Sequence, residues 1–414
     1  AAFPGKQNDD ERVTIMSKKI LVSAEYFEGF RCLAGDCQYS CCRDWRVDIN
    51  KSAYSKLRST RMSPALREQV DKDLIRSRKS LNNALYAQMR MKKDGRCSFL
   101  TEDGLCSLQA ECGPGILPSV CRTFPRDVYR IGDLVERACT MGCEEIVNRL
   151  WELPHSLEFI CEPMETVLFT SIIRDTDNRP VIFRRFLEVQ TVCVDLLQNP
   201  AYHLDQRILI LGMALRELAE LEHTDEDSQL DPWLEKWAQL SQGDVLRESL
   251  EKLPRETLMF LMNNVTTVSS MGACSIEEAT LQARLMVLSG FKNIGGTQRE
   301  LNSANYLAGL PRLEEIALPL ENIMVNDWFR SYAPLRSEHG IWWQYVRFCN
   351  LYSLLKFFLA TLMTNEITQA DMVHTVVLWA RQLEHNTQKL NEIVDRQVAN
   401  ESDTLAHMAI LIRG

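Results

Sequence analysis

The pattern of apolar and polar residues changes near residue 150, and beyond that point it predicts a series of amphipathic helices. Apolar side chains there recur every three or four residues, which places them on one face of an α-helix. Three such sets are Phe186, Val189, Cys193 and Leu196; Ile208, Leu211, Leu215 and Leu218; and Val373, Val376, Ala380, Leu383, Leu390 and Val394. Residues 275–278 and 368–371 read Ser-Ile-Glu-Glu and Thr-Gln-Ala-Asp, which are patterns typical of a helix N-terminus. The pattern therefore predicts a helical C-terminal half.

The first part of the chain shows shorter and more mixed patterns. Residues 19–30 are apolar enough for a short strand. Residues 51–93 carry apolar side chains at helical spacing and are predicted to be helical. Residues 97–108 predict a β-hairpin, because two short apolar runs flank a Thr-Glu-Asp-Gly turn. In the register that we expect, Leu100 faces Leu105, and Cys97 and Cys106 lie on the same face of the hairpin.

These patterns predict a mainly α protein, with a cysteine-rich, metal-binding N-terminal domain that contains short β-hairpins and an α-helical C-terminal domain. A second hairpin is predicted at residues 127–138. We place the N-terminal domain at residues 16–150 and the C-terminal domain at residues 151–414, with a subdivision near the acidic stretch 223–231. Residues 1–15 are polar and are expected to be a disordered leader or a cloning remnant.

Charge and hydropathy narrow the functional classes. The formal net charge of −9 argues against nucleic acid as the main ligand, since phosphate binding needs a basic surface. The longest apolar stretch, residues 341–363, is interrupted by Gln344, Arg347, Asn350 and Lys356, so we expect a buried or amphipathic helix and no membrane span. Residues 1–15 lack the apolar core of a secretory signal, which predicts a cytoplasmic protein.

The cysteines carry the strongest chemical signal. Ten of the fourteen lie within residues 32–143, whereas Cys161, Cys193, Cys274 and Cys349 are scattered and are expected to be packing residues. In a reducing compartment, clustered cysteines indicate metal or redox chemistry more than disulfides. None of the seven histidines falls inside residues 32–143. An all-sulfur site is therefore expected, which suits a [4Fe-4S] cluster, with zinc as the alternative.

The order of the cysteine motifs resembles a known family. The chain reads Cys-x4-Cys-x3-Cys-Cys from Cys32, then Cys-Ser-Phe-Leu from Cys97 with Asp-Gly-Leu-Cys ending at Cys106, then Cys-Arg-Thr-Phe-Pro from Cys121. This order is similar to that of the cysteine-cluster proteins thought to chelate iron or zinc, whose larger members include the flagellin lysine N-methylases. The resemblance to the methylases covers nearly the whole chain from Met16.

This resemblance implies a protein-lysine N-methyltransferase that transfers methyl from S-adenosylmethionine to lysines of flagellin and carries a [4Fe-4S] cluster. The metal-ligand candidates that it implies are Cys37, Cys41, Cys42, Cys97, Cys106 and Cys121. Arg122 and Arg126, which flank a Phe-Pro pair, are candidates to bind the carboxylate of the methyl donor. Two other classes remain open, an iron–sulfur redox protein and a zinc-stapled protein-interaction module.

Methyl transfer also needs a base, because only the uncharged lysine amine has a free lone pair. Asp44, Tyr129 and Glu136 are candidates within the cysteine-rich region. An aromatic patch around Trp342 and Trp343 is expected to be core, with a partner groove as the alternative.

Overall fold

The structure is a computed structural model that describes residues 20–77, 83–131, 133–163, 171–174, 180–294, 298–331, 333–335 and 339–414. The leader predicted at residues 1–15 lies outside the described residues.

Strands form three sheets. The strands are β1 (Ile20–Ala24), β2 (Asp48–Ile49), β3 (Leu74–Arg76), β4 (Ala87–Met89), β5 (Arg126–Ile131), β6 (Leu134–Cys139), β7 (Phe159–Pro163), β8 (Ser171–Arg174), β9 (Lys292–Ile294) and β10 (Gln298–Glu300). The largest sheet has the order β7-β1-β6-β5-β8, the second has the order β2-β4-β3, and β9 pairs with β10. β5 and β6 form the antiparallel hairpin predicted at residues 127–138, and β1 runs parallel to β6.

Helices make up most of the described chain, as predicted. They are α1 (Tyr26–Gly29), α2 (Lys51–Ser59), α3 (Pro64–Asp73), α4 (Ser107–Cys112), α5 (Ser119–Thr123), α6 (Glu144–Glu152), α7 (Val181–Arg184), α8 (Phe186–Leu197), α9 (Leu204–Glu220), α10 (Asp227–Leu240), α11 (Arg247–Glu251), α12 (Thr257–Ser270), α13 (Ile276–Leu288), α14 (Ala304–Gly309), α15 (Ala317–Arg330), α16 (Ile341–Leu362), α17 (Gln369–His385), α18 (Thr387–Ala399) and α19 (Leu405–Arg413). The two predicted helix starts are confirmed, because Ser275 accepts from the Glu278 amide and Thr368 accepts from the Asp371 amide.

Two apolar cores organise these elements. A large core extends from Val22 on β1 to Ile412 on α19 and joins the five-stranded sheet to the helices. A smaller core, from Val47 to Leu117, lies within the cysteine-rich region and includes Cys97. The sheet contains strands from both sides of residue 150, and the domain division proposed there remains a prediction.

α16 is the central helix of the large core. Its side chains are buried on nearly every face, which explains why its sequence is apolar without a clear polar stripe. Trp343, Tyr345 and Phe348 belong to this core, so packing accounts for these members of the aromatic patch. Among the described residues, no helix has the length and apolar character needed to cross a membrane.

Two predictions for the cysteine-rich region need correction. The described residues between 51 and 93 include helices α2 and α3 and strands β3 and β4 and are not continuously helical, because α2 ends at Ser59 and Pro64 begins a new helix. In the predicted hairpin at residues 97–108, Leu100 pairs with Cys106 and not with Leu105. Leu105 is instead exposed and belongs to the turn, which is one residue longer than predicted. Gly104 in this turn has a φ of +74°, a conformation that glycine adopts without strain.

Candidate cysteine centre and adjoining cavities

All fourteen cysteines are free thiols, and short backbone pairings bring those of the N-terminal region together. The Cys97 amide donates to the Cys42 carbonyl at 2.8 Å, so the first and second cysteine segments run side by side. The bridge between Leu100 and Cys106 brings Cys106 back beside the segment that contains Cys97. The short helix α5 then supplies Cys121, which packs against the smaller core.

Cys42, Cys97, Cys106 and Cys121 thus form one set, the core thiol group. Burial, followed by the nearby thiols of the other three members, raises the pKa of Cys121 to about 12. Burial is also the main cause that raises the pKa of Cys97 to about 11, and the thiols of Cys42 and Cys106 contribute to this shift. Four thiols from three chain segments therefore lie within electrostatic reach of one another.

Cys32, Cys37, Cys41 and Cys143 form a second set, the outer thiol group, beside the five-stranded sheet. Cys143 is the residue before α6, and the thiol of Cys37 donates to Oε2 of Glu144 at 3.4 Å. Burial raises the pKa of Cys37 to about 12, with the Glu144 carboxylate as the next cause. The pKa of Cys41 is also raised, through its hydrogen bond to Cys42, through burial and through the thiols of Cys143 and Cys32.

The two groups divide the six predicted ligands. Four of these form the core thiol group, whereas Cys37 and Cys41 lie in the outer group together with Cys32 and Cys143, which were not among the predicted ligands.

Within the part of the chain that the structure describes, no group of three or more His, Cys, Asp or Glu side chains is arranged to hold a metal ion.

The remaining cysteines are mostly packing residues. Cys193 and Cys349 are buried in the large core and Cys161 packs against it, as predicted. Cys139 is also buried there. Cys274 differs from the prediction, because it is exposed before the first turn of α13.

Arg122 and Arg126 are both exposed. The guanidinium of Arg126 lies over the Phe30 ring, 4.8 Å from its centroid, in a cation–π contact. Neither arginine lines the two cavities described below. Their role in binding a methyl donor remains a prediction.

The three candidate bases occupy different environments. Glu136 on β6 is buried, and burial raises its pKa to about 8 while Gln190 donates to one of its oxygens at 3.3 Å. Tyr129 is its cross-strand neighbour on β5. Asp44 is partly exposed and has a φ of +61°, and its pKa is raised by burial and by Glu277.

Contacts from α17 attach the helical part to the outer thiol group. Nε of Arg381 donates to the Gly142 carbonyl at 2.8 Å, and the same guanidinium donates to the Tyr39 carbonyl. The ring of Tyr39 stacks on that of His374, with centroids 3.6 Å apart. Burial lowers the pKa of His374, so its imidazole is neutral near pH 7.

Two cavities lie among the helices. The charged cavity has a volume of about 300 Å³ and is lined by Asp327, Arg330, His339, Trp343, Gln344, Arg347, Leu351, Trp379, Ala380, Leu383, Glu384, Thr387 and Asn391. The second cavity, about 740 Å³, is lined by residues of α9, α11, α15 and α16 and by their connections. It includes the buried pair Arg207–Glu321 and Lys356, whose ammonium donates to the carbonyls of Ile412 and Arg413. No sequence motif marked either cavity, because its lining comes from separate helices.

Comparison with known proteins places these helices in a family. The family described as FliB lysine N-methylase C-terminal domain matches residues 190–411, a range that contains both cavities.

Individual relatives align over a shorter region of 142 residues, or 34% of this chain. A lysine-N-methylase of Salmonella choleraesuis (strain SC-B67) is 26% identical over 35% of its length. A lysine-N-methylase of Salmonella typhimurium is 25% identical, also over 35% of its length. The flagellar biosynthetic protein FliU of Salmonella muenchen is 25% identical over 82% of its length. The match therefore spans about a third of the two lysine-N-methylases. No solved structure matches the chain.

Proposed function

The chain belongs to the family of FliB lysine N-methylase C-terminal domains, and on that basis we propose that it is a protein-lysine N-methyltransferase. The family match over residues 190–411 is the single observation that carries this proposal. We propose S-adenosylmethionine as the methyl donor and flagellin as the substrate. The flagellar name of the FliU relative supports the choice of substrate.

The proposed reaction requires an uncharged lysine amine. The amine forms the new nitrogen–carbon bond while the carbon–sulfur bond breaks, with its electron pair remaining on sulfur and the released proton passing to a base. S-adenosylmethionine supplies the methyl group, made electrophilic by its attachment to a sulfonium. Of the three candidate bases, we retain Asp44, because it is partly exposed and does not lie on a strand of the sheet, as Tyr129 and Glu136 do. Glu136 is buried against Gln190 in the sheet, where a substrate lysine does not reach it.

The core thiol group fits a [4Fe-4S] cluster by its donor chemistry. It offers four thiols and no histidine, and such clusters are held by four cysteine thiolates. The bond from the Cys97 amide to the Cys42 carbonyl and the bridge between Leu100 and Cys106 place three of these thiols in neighbouring segments, and Cys121 interacts with all three. On these grounds we propose Cys42, Cys97, Cys106 and Cys121 as the residues that would hold the cluster. Bound there, it would cross-link the three segments of the smaller core.

Methyl transfer with purified components tests the proposed function. Protein purified without oxygen is incubated with flagellin and isotopically labelled S-adenosylmethionine, and mass spectrometry locates label on lysine side chains. The expected result is a mass gain of one or more methyl groups on flagellin lysines. A matched reaction contains flagellin whose accessible lysines have been acetylated, and it should gain no label, because an amide nitrogen has no available lone pair. Label on neither flagellin nor any other offered protein, from a protein that carries its cluster, contradicts the proposal.

A redox protein and a zinc module remain the alternatives. Reversible one-electron reduction of the cluster without methyl transfer would support the redox protein. Zinc in place of iron, again without methyl transfer, would support the interaction module.

A further inference from the structure

The charged cavity is built from side chains of four helices of the matched family region. Asp327 and Arg330 come from α15, Trp343 from α16, Trp379 from α17 and Asn391 from α18. Its volume of about 300 Å³ is at the lower end of the range of about 300–1,000 Å³ found for small-molecule sites. Its volume is therefore within the range of cavities that bind small molecules.

Four polar atoms of its lining are buried without a hydrogen-bond partner among the described residues. Two are donors, Nε of Arg330 and Nε1 of Trp379, and two are acceptors, Oδ2 of Asp327 and Oδ1 of Asn391. A buried polar group without a partner costs about 1–3 kcal/mol, so such groups in a native protein call for an explanation. Their concentration around one cavity indicates a ligand that supplies both acceptors and donors.

Charged and aromatic side chains line the cavity together. Arg330 donates to Asp127 and to Asp327, each at 3.1 Å, and lies 3.7 Å from Glu384. Asp127 does not line the cavity, so the lining holds two carboxylates, of Asp327 and Glu384, and two guanidinium groups, of Arg330 and Arg347. This balanced lining, together with the rings of Trp343 and Trp379, is complementary to a ligand that carries positive and negative groups and an aromatic part.

We propose that the charged cavity binds the methyl donor, S-adenosylmethionine. This inference rests on the proposed function and assigns its donor site. The donor has a net positive charge through its sulfonium, and its adenine presents both an acceptor and an amine donor, which match Trp379 Nε1 and Asn391 Oδ1. Its methionine end presents a carboxylate and an ammonium, which match Arg330 and Asp327.

The place of the cavity in the fold supports this assignment. Glu384, on its wall, accepts a hydrogen bond from the Thr140 hydroxyl, between Cys139 and Cys143. Arg381 on the same helix binds the Gly142 carbonyl at 2.8 Å. Asp127, which is bonded to Arg330, belongs to β5 of the sheet. A donor in this cavity would therefore lie next to the cysteine-rich region.

Direct binding measurements test the site. Isothermal titration calorimetry of the full chain with S-adenosylmethionine alone measures the Kd of wild type and of Trp379→Phe, Asn391→Ala and Arg330→Gln. Each variant removes one of the unpartnered atoms, and we expect at least about a tenfold rise in Kd, from the loss of a hydrogen bond to a charged or buried group. Trp379→Phe and Asn391→Ala are small changes, and unfolding temperatures close to that of wild type will show that both variants keep the fold.

Matched controls separate this site from its rivals. Trp328→Phe also removes a buried indole N–H that has no partner among the described residues, but Trp328 does not line the cavity, so its Kd is expected to stay unchanged. Arg122→Gln and Arg126→Gln test the site predicted from sequence and are also expected to bind as wild type.

Four outcomes would overturn the inference. Folded Trp379→Phe and Asn391→Ala variants that bind the donor like wild type, while wild type methylates flagellin, refute the site and leave the proposed function standing. Loss of donor binding in the Arg122 and Arg126 variants alone places the donor at those arginines. Variants that bind the donor normally but lose a lysine-containing flagellin peptide show that the cavity holds the substrate. Wild type that binds no donor contradicts the proposed function itself.

Discussion

The thiols of Cys41 and Cys42 interact closely enough to shift each other's pKa in opposite directions, and this adjacent pair connects the two cysteine groups. Cys41 interacts with Cys143 and Cys32 of the outer group, whereas Cys97, Cys106 and Cys121 of the core group all interact with Cys42. Successive residues in an irregular segment direct their side chains differently, so one Cys-Cys pair contributes to both groups.

The first prediction concerns which group holds iron. Cys121→Ser is expected to lose most of its iron and acid-labile sulfide after purification without oxygen, because it removes one of four proposed thiolate ligands. Cys274→Ser is the matched control, since Cys274 is an exposed cysteine outside both groups, and it should retain the iron content of wild type. Visible absorption and iron analysis provide the measurement.

A third variant tests the choice between the groups. Cys37→Ser removes an outer-group thiol and is expected to keep the iron. Loss of iron from Cys37→Ser with retention in Cys121→Ser would move the cluster to the outer group.

The sequence predicted those parts of the fold that local patterns determine. Periodic apolar residues predicted the helical C-terminal region. Polar residues at 275–278 and 368–371 predicted helix starts, because capping depends on residues that are neighbours in sequence. The β5–β6 hairpin was also predicted from neighbouring residues, since a short turn joins its two strands. Residues 51–93 were predicted less well, since Leu74 continues the helical spacing but begins strand β3.

A functional region could be predicted only where residues of one type lie near one another in the sequence. Crowded cysteines identified the cysteine-rich region, but their division into two groups depends on the pairing of Cys97 with Cys42 across a long segment. The charged cavity was not predicted, because Asp327 and Asn391 come from different helices and each resembles an ordinary polar residue in its own sequence. Only the tertiary packing shows that their polar atoms lack partners.

A second prediction concerns the buried ion pair between Arg207 and Glu321. The guanidinium of Arg207 also donates to the carbonyls of Leu197 and Tyr202, and both charged side chains are almost fully buried. Arg207→Met leaves a buried carboxylate without its partner and is expected to lower the free energy of unfolding by about 3–5 kcal/mol. Chemical denaturation followed by circular dichroism measures the loss.

The double variant Arg207→Met/Glu321→Leu is the control for this pair. Replacing both charges with apolar side chains is often close to neutral, so it should recover much of the lost stability. A double variant that is no more stable than Arg207→Met would show that the backbone contacts of Arg207, and not its charge, determine the effect.

A third prediction concerns the close approach of α14 to α16. A Cβ atom added to Gly309 would lie 1.9 Å from the carbonyl oxygen of Ala360, which is backbone and cannot rotate away. Gly309→Ala should therefore force the helices apart and lower the free energy of unfolding by at least about 1–3 kcal/mol. Gly272→Ala is the matched control, because no described atom lies within 4 Å of the Cβ position at Gly272. Equal unfolding temperatures for the two variants would contradict the packing argument.

The last prediction follows from the buried carboxyl group of Glu136. Burial raises its pKa to about 8 in the folded protein, whereas the pKa in the unfolded chain is about 4.3. The folded state therefore binds the proton more tightly, and the free energy of unfolding should fall as pH rises through this window. Each pH unit within it contributes about 1.4 kcal/mol.

Glu136→Gln removes this titration and keeps an uncharged group next to Gln190. Relative to wild type, the variant should therefore gain stability between pH 5 and pH 8, and the difference should level off above pH 8. Urea denaturation at several pH values measures it. Glu248→Gln serves as the control, since this side chain is 85% exposed and its replacement should leave the pH dependence nearly parallel to that of wild type. Parallel curves for Glu136→Gln as well would mean that the Glu136 carboxyl is ionised in the folded protein at neutral pH, and a hydrogen-bonded anion would have to be accommodated inside the sheet.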